Sequence, residues 1–419
     1  MIEANFLIRN AREILTCAGP APMTGARQGE VAAIPGGSLA ARDGVIVFVG
    51  AAAEADAKVG LLPGAVVMEC TGHSVVPGFV DAHTHAVFAG DRRDELRRRL
   101  AGATYAEIAA AGGGIVSTVQ ATRGASEADL IAVSRPRLDE MLASGTTTCE
   151  IKSGYGLDLA SEMRMLRAIA SLGRAHAMDV IPTFMGAHEI PPEYRGRRND
   201  YVQLIIEEML PAVAADGLAM WCDVFCETGV FTPEESLRIL QAGGRHGLKP
   251  RIHADELGAS GGSQVAAEVG ARSADHLIFV PDDGIRAMAA AGVVATLLPN
   301  AAFYLKLGRF APARKLIETG VAVALATDVN PGGGFSPSMP FAMALACFAM
   351  NMTFEEALVA ATINGAWSLD VSDRCGSLEP GKLADAVVVH GEAINLIRMG
   401  APSVRAVIKR GRVAVGAEG

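Results

Sequence analysis

Short apolar runs recur through the middle of the chain, separated by longer stretches whose apolar residues have helical spacing. The runs are Ser74 to Val80, Thr146 to Ile151, Val180 to Met185, Cys222 to Cys226, Pro250 to His253, Ala274 to Ile278, Val293 to Leu298 and Val321 to Ala326. Their continuous apolarity suits strands buried on both faces, while Ala160 to Ala170, Pro233 to Gln241 and Ala311 to Glu318 suit amphipathic helices. Strands alternating with helices predict a parallel α/β arrangement, and eight such runs are the number that closes a barrel. An open doubly wound sheet would carry a glycine-rich turn after its first strand. Instead, Gly112-Gly113-Gly114 follows an alanine-rich helical stretch, and no Lys-Ser/Thr completes a phosphate loop. That glycine run reads as a mobile loop near the barrel mouth.

The two ends have a different texture. Asp43-Gly44 leads into the β-branched run Val45 to Gly50, and Ala65 to Cys70 is a further strand candidate. At the other end, the turn-rich segment Leu378 to Asp385 leads into Ala386 to Val389, followed by Val404 to Lys409. The expected fold is a (β/α)8 TIM-like barrel over residues 75–376. A small β-sandwich domain is expected from residues 1–74 and 377–419 together.

Composition narrows the function classes. A net charge of −9, spread along the chain, argues against a nucleic-acid partner, which requires a basic patch. No apolar run approaches the roughly 18 residues of a membrane helix. The seven cysteines are scattered, odd in number and never spaced as CxxC, which fits a reducing cytoplasm. Cys222 and Cys226 read as buried strand thiols. The segment Met1-Ile2-Glu3-Ala4-Asn5 shows no signal-peptide pattern, so a cytoplasmic enzyme is expected.

The chemistry concentrates at strand ends. Strand one runs into Asp81-Ala82-His83-Thr84-His85, strand three into Gly186-Ala187-His188-Glu189, and strand five into His253-Ala254-Asp255-Glu256. Strand six ends in Asp275-His276 and strand eight in Thr327-Asp328. In a barrel these ends meet at one mouth. A lone histidine is more often structural than a ligand, and His73, His176, His246 and His390 read that way. The other five all fall at strand ends. His83 and His85, two apart, would share one face of a strand and hold one cation, completed by His253 and Asp328. Three imidazoles and a carboxylate suit zinc or iron. Strand four, Cys222 to Glu227, lacks the lysine that bridges two metals in binuclear barrel hydrolases, so a single divalent ion is expected.

These residues resemble the amidohydrolase superfamily and, within it, the imidazolonepropionases of histidine degradation. The resemblance covers nearly the whole chain. It is carried by Pro77 to His85, Phe88-Ala89-Gly90-Asp91-Arg92, Lys152-Ser153-Gly154-Tyr155-Gly156, Gly186-Ala187-His188, His253 to Glu256 and Thr327 to Gly332. It implies the same four metal ligands. It also implies that Arg92, Tyr155, His188 and Glu256 contact 4-imidazolone-5-propanoate, while Asn330 and the Gly332 backbone contact the formimidoylglutamate end. Where relatives often carry Ser or Thr, this chain has Gly333, which offers only its backbone N–H. The implied reaction is hydrolysis of a cyclic amide, with Glu256 moving the proton, His276 or the metal stabilising the oxyanion, and Asp328 orienting the nucleophile. Arg92 would grip the propionate tail unless engaged by Asp91 or Asp94. A homodimer is implied by the resemblance alone. The alternatives are a purine- or pyrimidine-type deaminase, which would not need Arg92 and Tyr155, and an inactive scaffold, whose signature would be missing ligands.

Overall fold

The N-terminal segment forms five strands: β1 (Ile2–Leu15), β2 (Ala33–Arg42), β3 (Val45–Ala51), β4 (Val59–Glu69) and β5 (Ser74–Pro77). Eight more follow: β6 (Phe79–Asp81), β7 (Thr146–Lys152), β8 (Asp179–Ala187), β9 (Trp221–Cys226), β10 (Lys249–Ala254), β11 (Ser273–His276), β12 (Val294–Leu297) and β13 (Val323–Leu325). The last three are β14 (Ala386–Val389), β15 (Val404–Lys409) and β16 (Arg412–Val415). This computed structural model describes residues 1–103, 107 and 113–416. Within the Gly112-Gly113-Gly114 run, Gly112 lies outside the described residues.

Strands β6 to β13 pair in chain order, each parallel to the next, as the eight apolar runs predict. Helices such as Leu159–Ala175 and Pro233–Arg245 lie between them. The latter opens with a reciprocal capping box, Thr232 with Glu235, and has Pro233 in its first turn. Side chains carry part of the seam between β13 and β6. Asp81 accepts from Thr327 N (3.0 Å) and Thr327 Oγ1 (2.5 Å), and Asp328 N donates to His83 O (3.1 Å).

The terminal strands form one sheet in the order β16-β15-β14-β5-β1-β2-β3, with β4 also paired to β1. A single apolar cluster takes Leu39 and Ile46 from one end of that order and Ala406 and Ile408 from the other, so the sheet curls around it. Alternation along β14 serves two cores. Ala386 and Val388 enter this cluster, while Val387 and Val389 pack with the barrel.

One expected strand proves to be two. Ser74 to Pro77 belong to the terminal sheet, paired with β1 and β14, and only Phe79 onward joins the barrel. The chain changes sheets at Gly78, whose N–H donates to Asp385 O at 2.9 Å. A Cβ there would stand 2.3 Å from Thr147 Oγ1, so the crossing requires glycine. Among the described residues no helix is long and apolar enough to cross a membrane.

Candidate active site

Strand β6 ends at Asp81, so His83 and His85 lie beyond it rather than on a strand face. The segment nevertheless bonds to both neighbours as a strand would. Thr84 O accepts from Lys152 N at 2.9 Å, while His85 N donates to Val329 O at 2.9 Å on the other side. Two-residue alternation therefore persists, and both imidazoles reach the same place.

The ligand nitrogens of His83, His85 and His253 lie within 4.8 Å of one another, all buried. His85 Nε2 is 3.3 Å from His253 Nε2. Asp328 Oδ1 is 3.6 Å from His83 Nε2 and 3.7 Å from His85 Nε2. His83 Nε2 and Asp328 Oδ1 are both buried without a hydrogen-bond partner, a costly arrangement for atoms that do not face a cation. Burial first, then neighbouring positive groups, pushes His83 and His85 well below the ordinary histidine pKa, so they are neutral donors of lone pairs. The donor set fits a divalent metal ion.

Carboxylates behind the imidazoles set their direction. His83 Nδ1 donates to Asp275 Oδ2 at 2.6 Å, and His253 Nδ1 to Asp223 Oδ1 at 3.0 Å, leaving each Nε2 as the lone-pair nitrogen. Lys152, fully buried, lies 2.7 Å from both Glu150 and Asp223. Arg251 donates to Ala82 O (2.9 Å) and Ser368 O (2.7 Å) and reaches Asp275 at 3.5 Å. Of these five charged residues, Asp275 stands in a strand-end pair and Lys152 in a family segment, while Glu150, Asp223 and Arg251 carry no role in the sequence pattern. The signal was present, since a charge inside an otherwise apolar barrel strand must be paired.

A cavity of about 360 Å³ opens on this cluster, and its wall includes Arg92, Tyr155, His188, Glu256, His276 and Asp328. His188 stacks on His85, with ring centroids 4.9 Å apart and planes at 19°, and Tyr155 lies 5.2 Å from His188. His188 Nδ1 donates to Gly154 O at 3.0 Å, and burial holds its pKa down at about 3. Glu256 faces His276 at 3.6 Å, and its carboxyl is raised well above the ordinary range by burial, then by Asp328 and Glu227. Asp328 and His276 both adopt left-handed backbone, at φ 52° and 75°, a strain that functional sites commonly hold.

Near neighbours hold both Arg92 and the loop of Asn330. Arg92 pairs with neither Asp91 nor Asp94; its Nε donates to Glu95 at 2.7 Å, and Glu95 also accepts from Gly114 N at 2.8 Å. Asp91 is taken by Arg93 and Asp94 by Arg97. The N–H groups of Gly332 and Gly333 donate to Asn330 Oδ1, at 2.8 and 2.6 Å, and all three residues line the cavity. Asn330 Nδ2 donates to Asp328 O at 2.8 Å. Asn330 thus shapes the loop carrying Asp328. Gly332 lies against Arg92, where an added Cβ would be 2.2 Å from the guanidinium.

The amidohydrolase family model matches residues 74–414. An imidazolonepropionase of Symbiobacterium thermophilum is 50% identical over 99% of this chain and 98% of its own length. The chain belongs to the amidohydrolase family, among its imidazolonepropionases. A second imidazolonepropionase, from Syntrophobacter fumaroxidans, is 48% identical over 92% of this chain and 91% of its own. The fold is shared more widely. The structure of an atrazine chlorohydrolase from Arthrobacter aurescens, complexed with zinc and atraton, superposes with a TM-score of 0.72 at 17% identity, over 98% of this chain and 95% of that one. The imidazolonepropionase assignment covers both the barrel and most of the terminal sheet.

Proposed function

We propose that this chain hydrolyses the cyclic amide of 4-imidazolone-5-propanoate to N-formimidoyl-L-glutamate, with one divalent ion held by His83, His85, His253 and Asp328. The near full-length identity to proteins of that name supports the substrate. The single observation that carries the chemistry is the shared cavity. It brings a buried imidazole–carboxylate cluster, the Arg92 cation and the Glu256 carboxyl to one mouth. A zinc or iron ion there supplies Lewis acidity and an acidified water.

The chain's own groups do the rest. Arg92, aimed by Glu95, binds the propionate tail through its remaining guanidinium N–H groups. Tyr155 and His188 flank the ring. His276, kept neutral by burial and then by His253, donates an N–H to the carbonyl oxygen as charge develops. Glu256 takes a proton from the attacking water. As the new C–O bond forms and the ring C–N bond breaks, it returns that proton to the departing nitrogen. Asn330, Gly332 and Gly333 hold the loop of Asp328 and line the substrate cavity, and Gly332 backs the Arg92 side chain.

The test is decay of the imidazolone ultraviolet band with protein carrying one equivalent of zinc or iron. Ring opening without ammonia in the first turnover is expected; ammonia release would instead establish a deaminase. Glu256→Gln should bind metal normally and lose about 100-fold or more in turnover, the scale of general acid–base catalysis. Near-normal turnover would remove the proton-shuttle role.

A further inference from the structure

Inside the barrel, beneath the four proposed ligands, five fully buried charges meet: Glu150, Lys152, Asp223, Arg251 and Asp275. Their arrangement is centred on Lys152 rather than distributed as separate pairs. Its ammonium lies 2.7 Å from Glu150 Oε1, 2.7 Å from Asp223 Oδ2 and 3.9 Å from Asp275 Oδ2. The carboxylates of Asp223 and Asp275 in turn accept from the Nδ1 atoms of His253 and His83. One cation on β7 therefore stands behind two histidines contributed by different parts of the barrel. Glu150 completes the tie by accepting from Thr84 N at 3.1 Å, between His83 and His85.

We propose that Lys152 is a positioning residue for metal binding, fixing both the direction and the tautomer of His83 and His253 through Asp275 and Asp223. Asp223 splits its oxygens between the two roles: Oδ1 receives the imidazole and Oδ2 faces the ammonium. Without that cation, Asp223 would be a buried carboxylate held only by its imidazole and the His253 backbone N–H. It would then relax toward other donors and release the ring. Arg251 cannot substitute, because it reaches only Asp275 and is otherwise occupied by Ala82 O and Ser368. A structural ion pair alone would stabilise the barrel without this connection to both ligands. The inference rests on the metal-site reading above.

The test is metal affinity, measured by chelator competition on Lys152→Met, Asp223→Asn and Lys152→Met/Asp223→Asn proteins whose circular dichroism and melting show a folded chain. Lys152→Met should bind zinc about 10- to 100-fold more weakly, the usual cost of losing an outer-shell partner. Asp223→Asn should weaken binding similarly. The double variant should show less than the product of the two losses, because the two substitutions share the path through Asp223 to the His253 ring. Wild-type affinity in Lys152→Met, or fully multiplicative losses, would overturn the proposal. If Lys152→Met does not fold, nitrogen-15 spectra of histidine-labelled wild-type apoprotein decide. His83 and His253 should both be Nδ1–H tautomers, and an Nε2–H form at either would overturn it. Failure of wild-type protein to bind zinc at all would instead refute the metal site itself.

Discussion

At the scale of single residues, the site depends on atoms that are held rather than merely present. Arg92 could face several acids in its own segment, yet Glu95 alone engages its Nε, and the Gly332 backbone presses against the guanidinium. Arg92→Ala should therefore raise KM for the propionate substrate by about 10- to 100-fold, matching the roughly 1.5–3 kcal/mol of a charge-assisted contact. An unchanged KM would exclude tail binding. Gly332→Ala should raise KM in the same direction by displacing the guanidinium, with less effect on kcat. Equal loss in kcat alone would place the damage at Asp328 instead. His83 and His85 were legible as a pair because alternation survives beyond the strand. The orienting carboxylates were not, because Asp223 and Asp275 are far from their imidazoles in sequence.

At the scale of elements, capping residues can do more than end a helix. The helix Phe354–Ala361 opens with a capping box, in which Thr353 Oγ1 accepts from Glu356 N at 3.2 Å and Thr353 N donates to Glu356 Oε2 at 2.8 Å. Glu356 also pairs with Arg314 of the helix Ala313–Glu318, tying two helices of the barrel wall. Burial works to raise the Glu356 carboxyl, but Arg314 and Thr353 outweigh it and hold the carboxyl below its ordinary 4.5. A pKa lower in the folded chain than in the unfolded one stabilises above the unfolded value and is lost as pH falls through the folded value. Glu356→Gln should cost about 1 kcal/mol near neutral pH, allowing for the partly exposed Arg314. That difference should shrink as pH falls below the ordinary 4.5 and through the lower folded value. A gap that stays constant with pH in denaturant melts would assign the effect to packing. The apolar pattern of Ala311 to Glu318 announced one of these helices, but the cross-link between them needed the fold.

At the scale of the molecule, the N-terminal segment is part of the barrel's closure. Gln28, fully buried, imitates a strand neighbour: its Oε1 accepts from Val323 N at 3.1 Å and its Nε2 donates to Val323 O at 3.0 Å. Asn364 adds a second clamp, donating to Met23 O and Val323 O and accepting from Met23 N. Gln28→Ala leaves a buried Val323 N–H unpaired and should cost about 2 kcal/mol, seen as a lower denaturant midpoint with little change in slope. Retention of full stability would show that β13 needs no such partner.

Hydrophobic period and strand-end chemistry were sufficient to determine eight barrel strands, a sheet built from both termini, and the residues that meet at the mouth. These follow from local rules: buried parallel strands are continuously apolar, and strand ends of one barrel converge. The tertiary structure alone decided where Ser74 to Val80 divides between two sheets, which acid aims Arg92, and which nitrogen of each histidine is left for a cation. Each of those choices depends on a partner distant in sequence or on one of several equivalent neighbours. Packing, rather than local pattern, selects among them.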